Sequence, residues 1–275
     1  MKTKKANNIT LGADPECFIV NEKTGKVVSS IGIIPGEKGD PWRSDDMPDG
    51  YGIEIDNILA EFNIPAARSR KDFVDSMEYM KDYLRNFVKK VDPDLNIKCS
   101  ASEIVDEDQL QSYEAKLFGC SVDYNIYTGM PNPKPHGETT NLRSAGCHIH
   151  CGYDNPDVDR SLELLQLFDL YLGIPSIVMD TDQRRRTLYG KAGCFRLTSY
   201  GFEYRVLSSA MYATPELSGF IYDQCMKAID AYNSGDIKFS RKFKTRIQET
   251  IDSGNVEEAR KIIKEYNICA ESLEQ

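Results

Sequence analysis

The 275-residue chain has little of what usually assigns a protein to a class. No stretch approaches the roughly 18 consecutive apolar residues of a membrane span, so no membrane partner is expected. No Gly-x-Ser-x-Gly and no Gly-rich phosphate loop occurs, which leaves serine-hydrolase and Walker-type ATPase chemistry unsupported. Histidine is scarce, at three residues, and tryptophan occurs once. Eight cysteines are too sparse and unpatterned for a secreted disulfide scaffold, and predict reduced thiols in a cytoplasmic protein. The N-terminal MKTKKANNIT is basic but lacks the apolar segment of a signal peptide. Basic residues are outnumbered: 34 Lys and Arg face 43 Asp and Glu, a net charge of −9. That balance disfavours nucleic acid or an anionic membrane as the main partner. What remains is an ordinary globular mixture, 40% hydrophobic and 28% charged, without repeats or low-complexity segments. It predicts one domain over residues 1–275.

Helices are legible from period and caps. Phe73, Met77, Met80, Leu84, Phe87 and Val91 recur at three- and four-residue steps, the stripe of an amphipathic helix. Ser69 with Asp72 reads as its cap, and Pro93 as its stop. Asn155-Pro156 and Thr214-Pro215 read as two further starts, a capping side chain before a proline at the first helical position. The tail, roughly 240–268, reads as two short helices broken at Ser253-Gly254-Asn255. Strands are expected at 16–21, 26–34, 51–64, 95–101, 145–153 and 193–209. Coming in runs, they favour an α+β fold with an antiparallel or mixed sheet. Two long irregular stretches, Ile34–Gly50 and Gly119–Gly146, read as lids or binding loops.

Residues two apart on a strand share a face. By that rule Asp14 pairs with Glu16, Glu54 with Asp56, Glu61 with Asn63, His148 with His150, and Glu203 with Arg205. Their neighbours are largely apolar: Cys17 and Ile19; Ile53 and Ile55; Leu59, Ala60 and Phe62; Cys147, Ile149 and Cys151; Phe202, Tyr204 and Val206. The apolar side belongs on the core. The other side then gathers carboxylates that repel one another unless cations neutralise them. Oxygen-rich sites with an occasional imidazole suit Mg²⁺ or Mn²⁺, so this surface reads as a site for two divalent ions. Zinc at Cys147-His148-Ile149-His150-Cys151 is disfavoured, because alternation turns the thiols away from the imidazoles. Six cations fall within 184–205: Arg184, Arg185, Arg186, Lys191, Arg196 and Arg205. Interleaved with glycines, they suit phosphate recognition, and a solvated charge run is the alternative.

Taken in order, LGADPECF, GIEIDNILAEFN, AGCHIHCGY, YGKAG, FR and GFEYR resemble the metal-binding strands of the glutamine-synthetase superfamily. They are most similar to the compact, largely phage-encoded COOH–NH2 ligases, or amidoligases. The motifs span residues 11 to 209. The resemblance implies a glutamine-synthetase-like catalytic domain, with helices on the convex face of a concave, mainly antiparallel sheet. It implies one ion held by Glu16, Glu54 and Glu61, and a second held by Asp14, His148 and Glu203. His150 would lie near the nucleotide, and Lys191 with one or more of Arg184, Arg185 and Arg186 would hold its phosphates. Arg196 and Arg205 would stabilise the transferred phosphoryl group beside Glu203.

The implied reaction is ATP-dependent. A substrate carboxylate takes the γ-phosphoryl group, and an amine then displaces phosphate to form an amide. The substrates would be a small-molecule or peptide carboxylate and an amine. Two departures stand out. The first acidic pair is Asp-x-Glu rather than Glu-x-Glu, and Asp14 lies so near the start that the separate N-terminal domain of glutamine synthetases is not expected. A non-catalytic descendant of the fold and a metal-dependent hydrolase are the other readings.

Overall fold

The computed structural model describes residues 5–116, 123–133 and 140–268. In chain order, β1 (Thr10–Asn21), β2 (Val27–Val28), β3 (Gly52–Asp56) and β4 (Leu59–Ala67) precede α1 (Arg70–Val91). Then come β5 (Leu95–Lys98), β6 (Ser102–Ile104), a short α2 (Tyr113–Lys116), β7 (Tyr124–Asn125), β8 (Leu142–Ser144) and β9 (Cys147–Gly152). Helix α3 (Val158–Phe168) runs through a π turn at Asp169–Gly173 into α4 (Ile174–Met179). The hairpin β10 (Cys194–Thr198) and β11 (Gly201–Tyr204) follows, and α5 (Pro215–Ser234), α6 (Arg241–Ser253) and α7 (Val256–Glu265) complete the chain.

The main sheet is antiparallel, in the order β3-β4-β1-β9-β11-β10-β7, with β2 and β5 pairing the far end of β1. The α+β class follows from this arrangement. Helices α1, α3 and α5 pack together under it. Cys17, Ile19, Ile53, Phe62, Cys147, Ile149, Cys151, Phe202 and Tyr204 enter that core, as the alternation predicts. Helix α1 supplies Phe73, Met77, Met80, Leu84 and Val88, each contributing about 1.5–3 kcal/mol by burial. Leu59 departs from the expected side. It shares the face of Glu61 and joins Phe18, Ile58, Val105, Leu110 and Ala145 in a second, smaller cluster. Period two puts Leu59 with Glu61 and not with its other neighbours Ala60 and Phe62.

Two of the three predicted helix starts stand, as does the break in the tail. Ser69 Oγ accepts the Asp72 amide at 3.1 Å, and the chain turns extended at Asp92 before Pro93. Thr214 caps α5, and Gly254 in the left-handed region separates α6 from α7. Helix α3 starts later than Asn155. That residue is itself left-handed, at φ 47°, and extended Asp157 takes the cap, accepting the Arg160 amide at 2.9 Å. The run Val158–Met179 is long and apolar enough to cross a membrane by length and composition, yet most of it is buried in this fold. At its π turn, Gly173 lets β11 approach, since a Cβ there would sit 2.7 Å from the Tyr204 hydroxyl.

The two long loops differ from free lids. The 34–50 segment lies along β3: Trp42 and Ile53 exchange hydrogen bonds at 2.8 and 3.0 Å, and the Trp42 ring packs on Phe87. Of Gly119–Gly146, residues 119–122 and 134–139 lie outside the described residues. The 123–133 part pairs β7 with β10.

Candidate functional site

Sheet register, more than any single motif, brings the polar pairs together. Glu54 stands opposite Glu61, and Glu61 opposite Glu16, so three carboxylates lie abreast on β3, β4 and β1. Two residues back along β1, Asp14 stands opposite His148. His150 stands opposite Glu203, and Glu203 opposite Arg196. Directly opposed side chains are about 4.5–5.5 Å apart at Cβ, so each row converges.

Two clusters result. Asp14, His150 and Glu203 offer ligand atoms within 4.8 Å of one another, as do Glu16, Asp56 and Glu61. His148 lies between them. Its Nδ1 is 3.4 Å from Asp14 Oδ1 and 3.6 Å from Glu203 Oε1, and its Nε2 is 3.9 Å from Glu16 Oε1. Glu54 keeps to the row but accepts the Gly39 amide at 2.9 Å. The close third carboxylate is Asp56, the same-face alternative to the Glu54 that the resemblance implied. Its signal was its shared face with Glu54.

The two clusters differ in charge. Burial, then Asp14, Asp56, Glu16 and Glu54, push the Glu61 carboxyl well above its usual range. Burial and Glu16 push Asp56 up to about 7. Burial likewise raises Glu54. On the other side burial opposes ionisation of Asp14, but His150 and His148 outweigh it and hold the carboxyl well below its usual range. Glu203 is also lowered, with Arg205 overcoming burial. The carboxyls of the two clusters are thus shifted in opposite directions, Asp14 and Glu203 down beside cationic neighbours, Asp56 and Glu61 up by burial and mutual repulsion. Crowded oxygens with imidazoles at the rim fit Mg²⁺ or Mn²⁺.

The cations separate into groups. Arg196 and Arg205 both hold Glu203, and Arg205 also lies 3.7 Å from Asp123. Arg185 lines a small recess with Glu16, Asp56, His148, Arg143 and Arg205. Arg184 and Arg186 are not brought there. Arg184 pairs with Asp182, and buried Arg186 donates to the Gly190 carbonyl at 2.9 Å. Lys191 reaches the Asp252 carbonyl on α6 at 3.4 Å. On the other side of Asp14 opens a cavity of about 340 Å³, lined by Gly12, Gly152, Asn63, His150 and Tyr200. Gly152 in its wall sits against Thr10, where a Cβ would fall 2.5 Å from Oγ1. The Tyr200 hydroxyl hydrogen-bonds His150 Nδ1.

Residues 138–272, 135 of the 275, match the model of a family described as phage phiEco32-like COOH.NH2 ligase-type 2. The match supports the resemblance drawn from the motifs. It contains both histidines, the arginines and Glu203, while Asp14, Glu16, Asp56 and Glu61 come from strands upstream of it. No curated protein matches the chain.

Proposed function

We propose that the chain, whose residues 138–272 match the COOH–NH2 ligase family model, joins a carboxylate to an amine using ATP. The observation that carries this reading is the meeting of two ligand clusters and paired arginines on one sheet face. Asp14, Glu203 and the two histidines would hold one divalent ion. Glu16, Asp56 and Glu61, with Glu54 beside them, would hold the other. When bound, Mg²⁺ or Mn²⁺ neutralises charge as two anions are brought together for phosphoryl transfer.

The chain's own groups supply the rest. Arg185, Arg205 and Arg143 set guanidinium groups among the acids Glu16, Asp56 and Asp123 of the small recess, and Arg185 would meet the substrate carboxylate there. Arg196, partly exposed beside Glu203, faces outward where phosphoryl oxygens would arrive. The cavity beside His150 and Tyr200 has the size for the nucleoside. The carboxylate would take the γ-phosphoryl group from ATP, releasing ADP. An amine would then displace phosphate from the acyl phosphate. The six described cysteines are free.

The test is ATP turnover with Mg²⁺ or Mn²⁺ across panels of amino acids, peptides, peptidoglycan fragments and amines, read by mass spectrometry. ADP with a new amide is expected. Amide or phosphoester hydrolysis independent of ATP would establish a hydrolase instead. Failure of any pairing to yield ADP would favour a binding protein.

A further inference from the structure

We infer that Lys38 is a tethered cation that holds Asp56 in place of a divalent ion, and that the ion must displace it. The inference rests on the proposed two-ion site but concerns residues that neither the motifs nor the family match single out. Lys38 sits at the tip of a tight turn, where Glu37 and Asp40 exchange backbone hydrogen bonds at 3.2 and 2.8 Å and Gly39 takes φ +81°. The base of that turn is fixed. Ile55 donates to the Gly36 carbonyl at 3.0 Å, and a Cβ on Gly36 would lie 2.1 Å from the Ile53 carbonyl oxygen, so only glycine lets the loop lie this close to β3.

The turn thereby aims two groups at the acidic face. The Gly39 amide meets Glu54, and Lys38 Nζ stands 2.6 Å from Asp56 Oδ1. The pair is asymmetric: the Asp56 side chain is 5% exposed and that of Lys38 is 45%. Also facing Asp56 are Glu16, Glu61, His148 and the Asn57 amide, which donates to Oδ1 at 2.6 Å. An ammonium ion that close to a shared carboxylate would repel a divalent cation at the same cluster. Because the Lys38 side chain is already 45% exposed, it can swing out toward solvent. Lys38 thus offsets carboxylate repulsion in the metal-free protein, and it competes with the ion.

Mn²⁺ binding to the full metal-free chain, followed by electron paramagnetic resonance without nucleotide, tests this. Lys38→Met should bind Mn²⁺ about fivefold more tightly, the scale of one partly exposed ion pair. Lys38→Arg should restore the wild-type affinity. Asp56→Asn should weaken binding and abolish the gain from Lys38→Met, as residues that act together must. Emission of Trp42, the sole tryptophan, checks that each variant is folded. Lys38→Met lies on an exposed turn and decides the matter even if Asp56→Asn is unstable. Unchanged or weaker Mn²⁺ affinity in Lys38→Met overturns the inference, as does absence of Mn²⁺ binding in both wild type and Lys38→Met. Competition without ATP turnover would uphold the role of Lys38 and refute the ligase reading. Turnover with Lys38-independent Mn²⁺ binding would do the reverse.

Discussion

Arg196 grips Glu203 from the neighbouring strand with both ends of its fork, Nε to Oε2 at 2.7 Å and Nη2 to Oε1 at 2.8 Å. Arg205, two residues along from Glu203, takes the same carboxylate from the other side. The two pairs differ in burial: the Arg196 side chain is 33% exposed and that of Arg205 is 4%. Removing one partner of a buried pair leaves an uncompensated charge and costs about 3–5 kcal/mol, whereas exposed pairs contribute about 0.2–1 kcal/mol. Arg205→Met should therefore lower unfolding stability by about 3 kcal/mol, and Arg196→Met by about 1 kcal/mol or less. Both should lose ligase turnover. Urea denaturation distinguishes them, and equal losses would contradict the burial argument.

Stability should also respond to pH with a definite sign. Asp56 and Asp169 are each pushed up to about 7 by burial, and Glu61 well above its usual range. A carboxyl raised in the fold stabilises at pH values below its ordinary range, and that contribution is lost as pH climbs through the raised value. Asp14 and Glu203, lowered in the fold, contribute oppositely and lose their share only in acid. In EDTA, then, melting temperature should fall as pH rises toward and through 7. Mg²⁺ should remove the part due to Asp56 and Glu61. It should leave the part due to Asp169, which lies away from the clusters and accepts from the Tyr127 and Tyr204 hydroxyls at 2.7 and 2.8 Å. Melting curves across pH, with EDTA and with Mg²⁺, check this. A melting temperature that rises with pH in EDTA would refute it.

How much of this was legible depended on whether the determinant was local. The cap at Ser69, the stop at Pro93 and the inward turn of Cys147 and Cys151 needed only period and caps. The polar face needed only alternation along single strands. Its division into two clusters did not follow, because that depends on register: Glu16 opposite Glu61, and His150 opposite Glu203. Asp56 was visible as a face-mate of Glu54, but its nearness to Lys38 arises from a loop folding back across β3. The start of α3 was missed because Asn155 adopts a left-handed conformation that its side chain tolerates as readily as it caps.

The arginine triplet shows the same limit and gives a further prediction. Gln183–Thr187 forms a 3₁₀ turn, with three residues per turn, so successive side chains point about 120° apart. Arg184 accordingly meets Asp182 in solvent, Arg185 enters the recess and Arg186 is buried on the Gly190 carbonyl. Arg186→Ala should destabilise the protein by about 2–3 kcal/mol, leaving buried acceptors without a donor. Arg184→Ala should cost less than about 1 kcal/mol and leave turnover near wild type. Arg185→Lys, which keeps the charge but loses the fork and its hydrogen bond to the Val206 carbonyl at 2.9 Å, should raise KM for the carboxylate and cost about 1–3 kcal/mol of stability. Denaturation with steady-state kinetics reads all three. Loss of turnover in Arg184→Ala would return that residue to the active site.

His148 and His150 share a face but should fail differently when replaced. The His148 side chain is 8% exposed and lies between the two clusters, within 4 Å of Asp14, Glu16 and Glu203. That of His150 is 25% exposed, borders the neighbouring cavity, and is held at Nδ1 by Tyr200 while Nε2 stands 3.1 Å from Asp14. His148→Ala removes an imidazole from the centre of the site, so the Mn²⁺ concentration for half-maximal activity should rise about tenfold or more, as when a ligand is lost. His150→Ala opens the cavity wall. It should mainly raise KM for ATP, with a smaller effect on metal dependence. Tyr200→Phe, which removes only the hydroxyl orienting His150, should shift KM for ATP in the same direction by less. Separate Mn²⁺ and ATP titrations of the three variants decide the assignment. Identical, mild effects at both histidines would mean that they are merely hydrogen-bonded sheet residues, and would remove much of the support for ligase chemistry at this face.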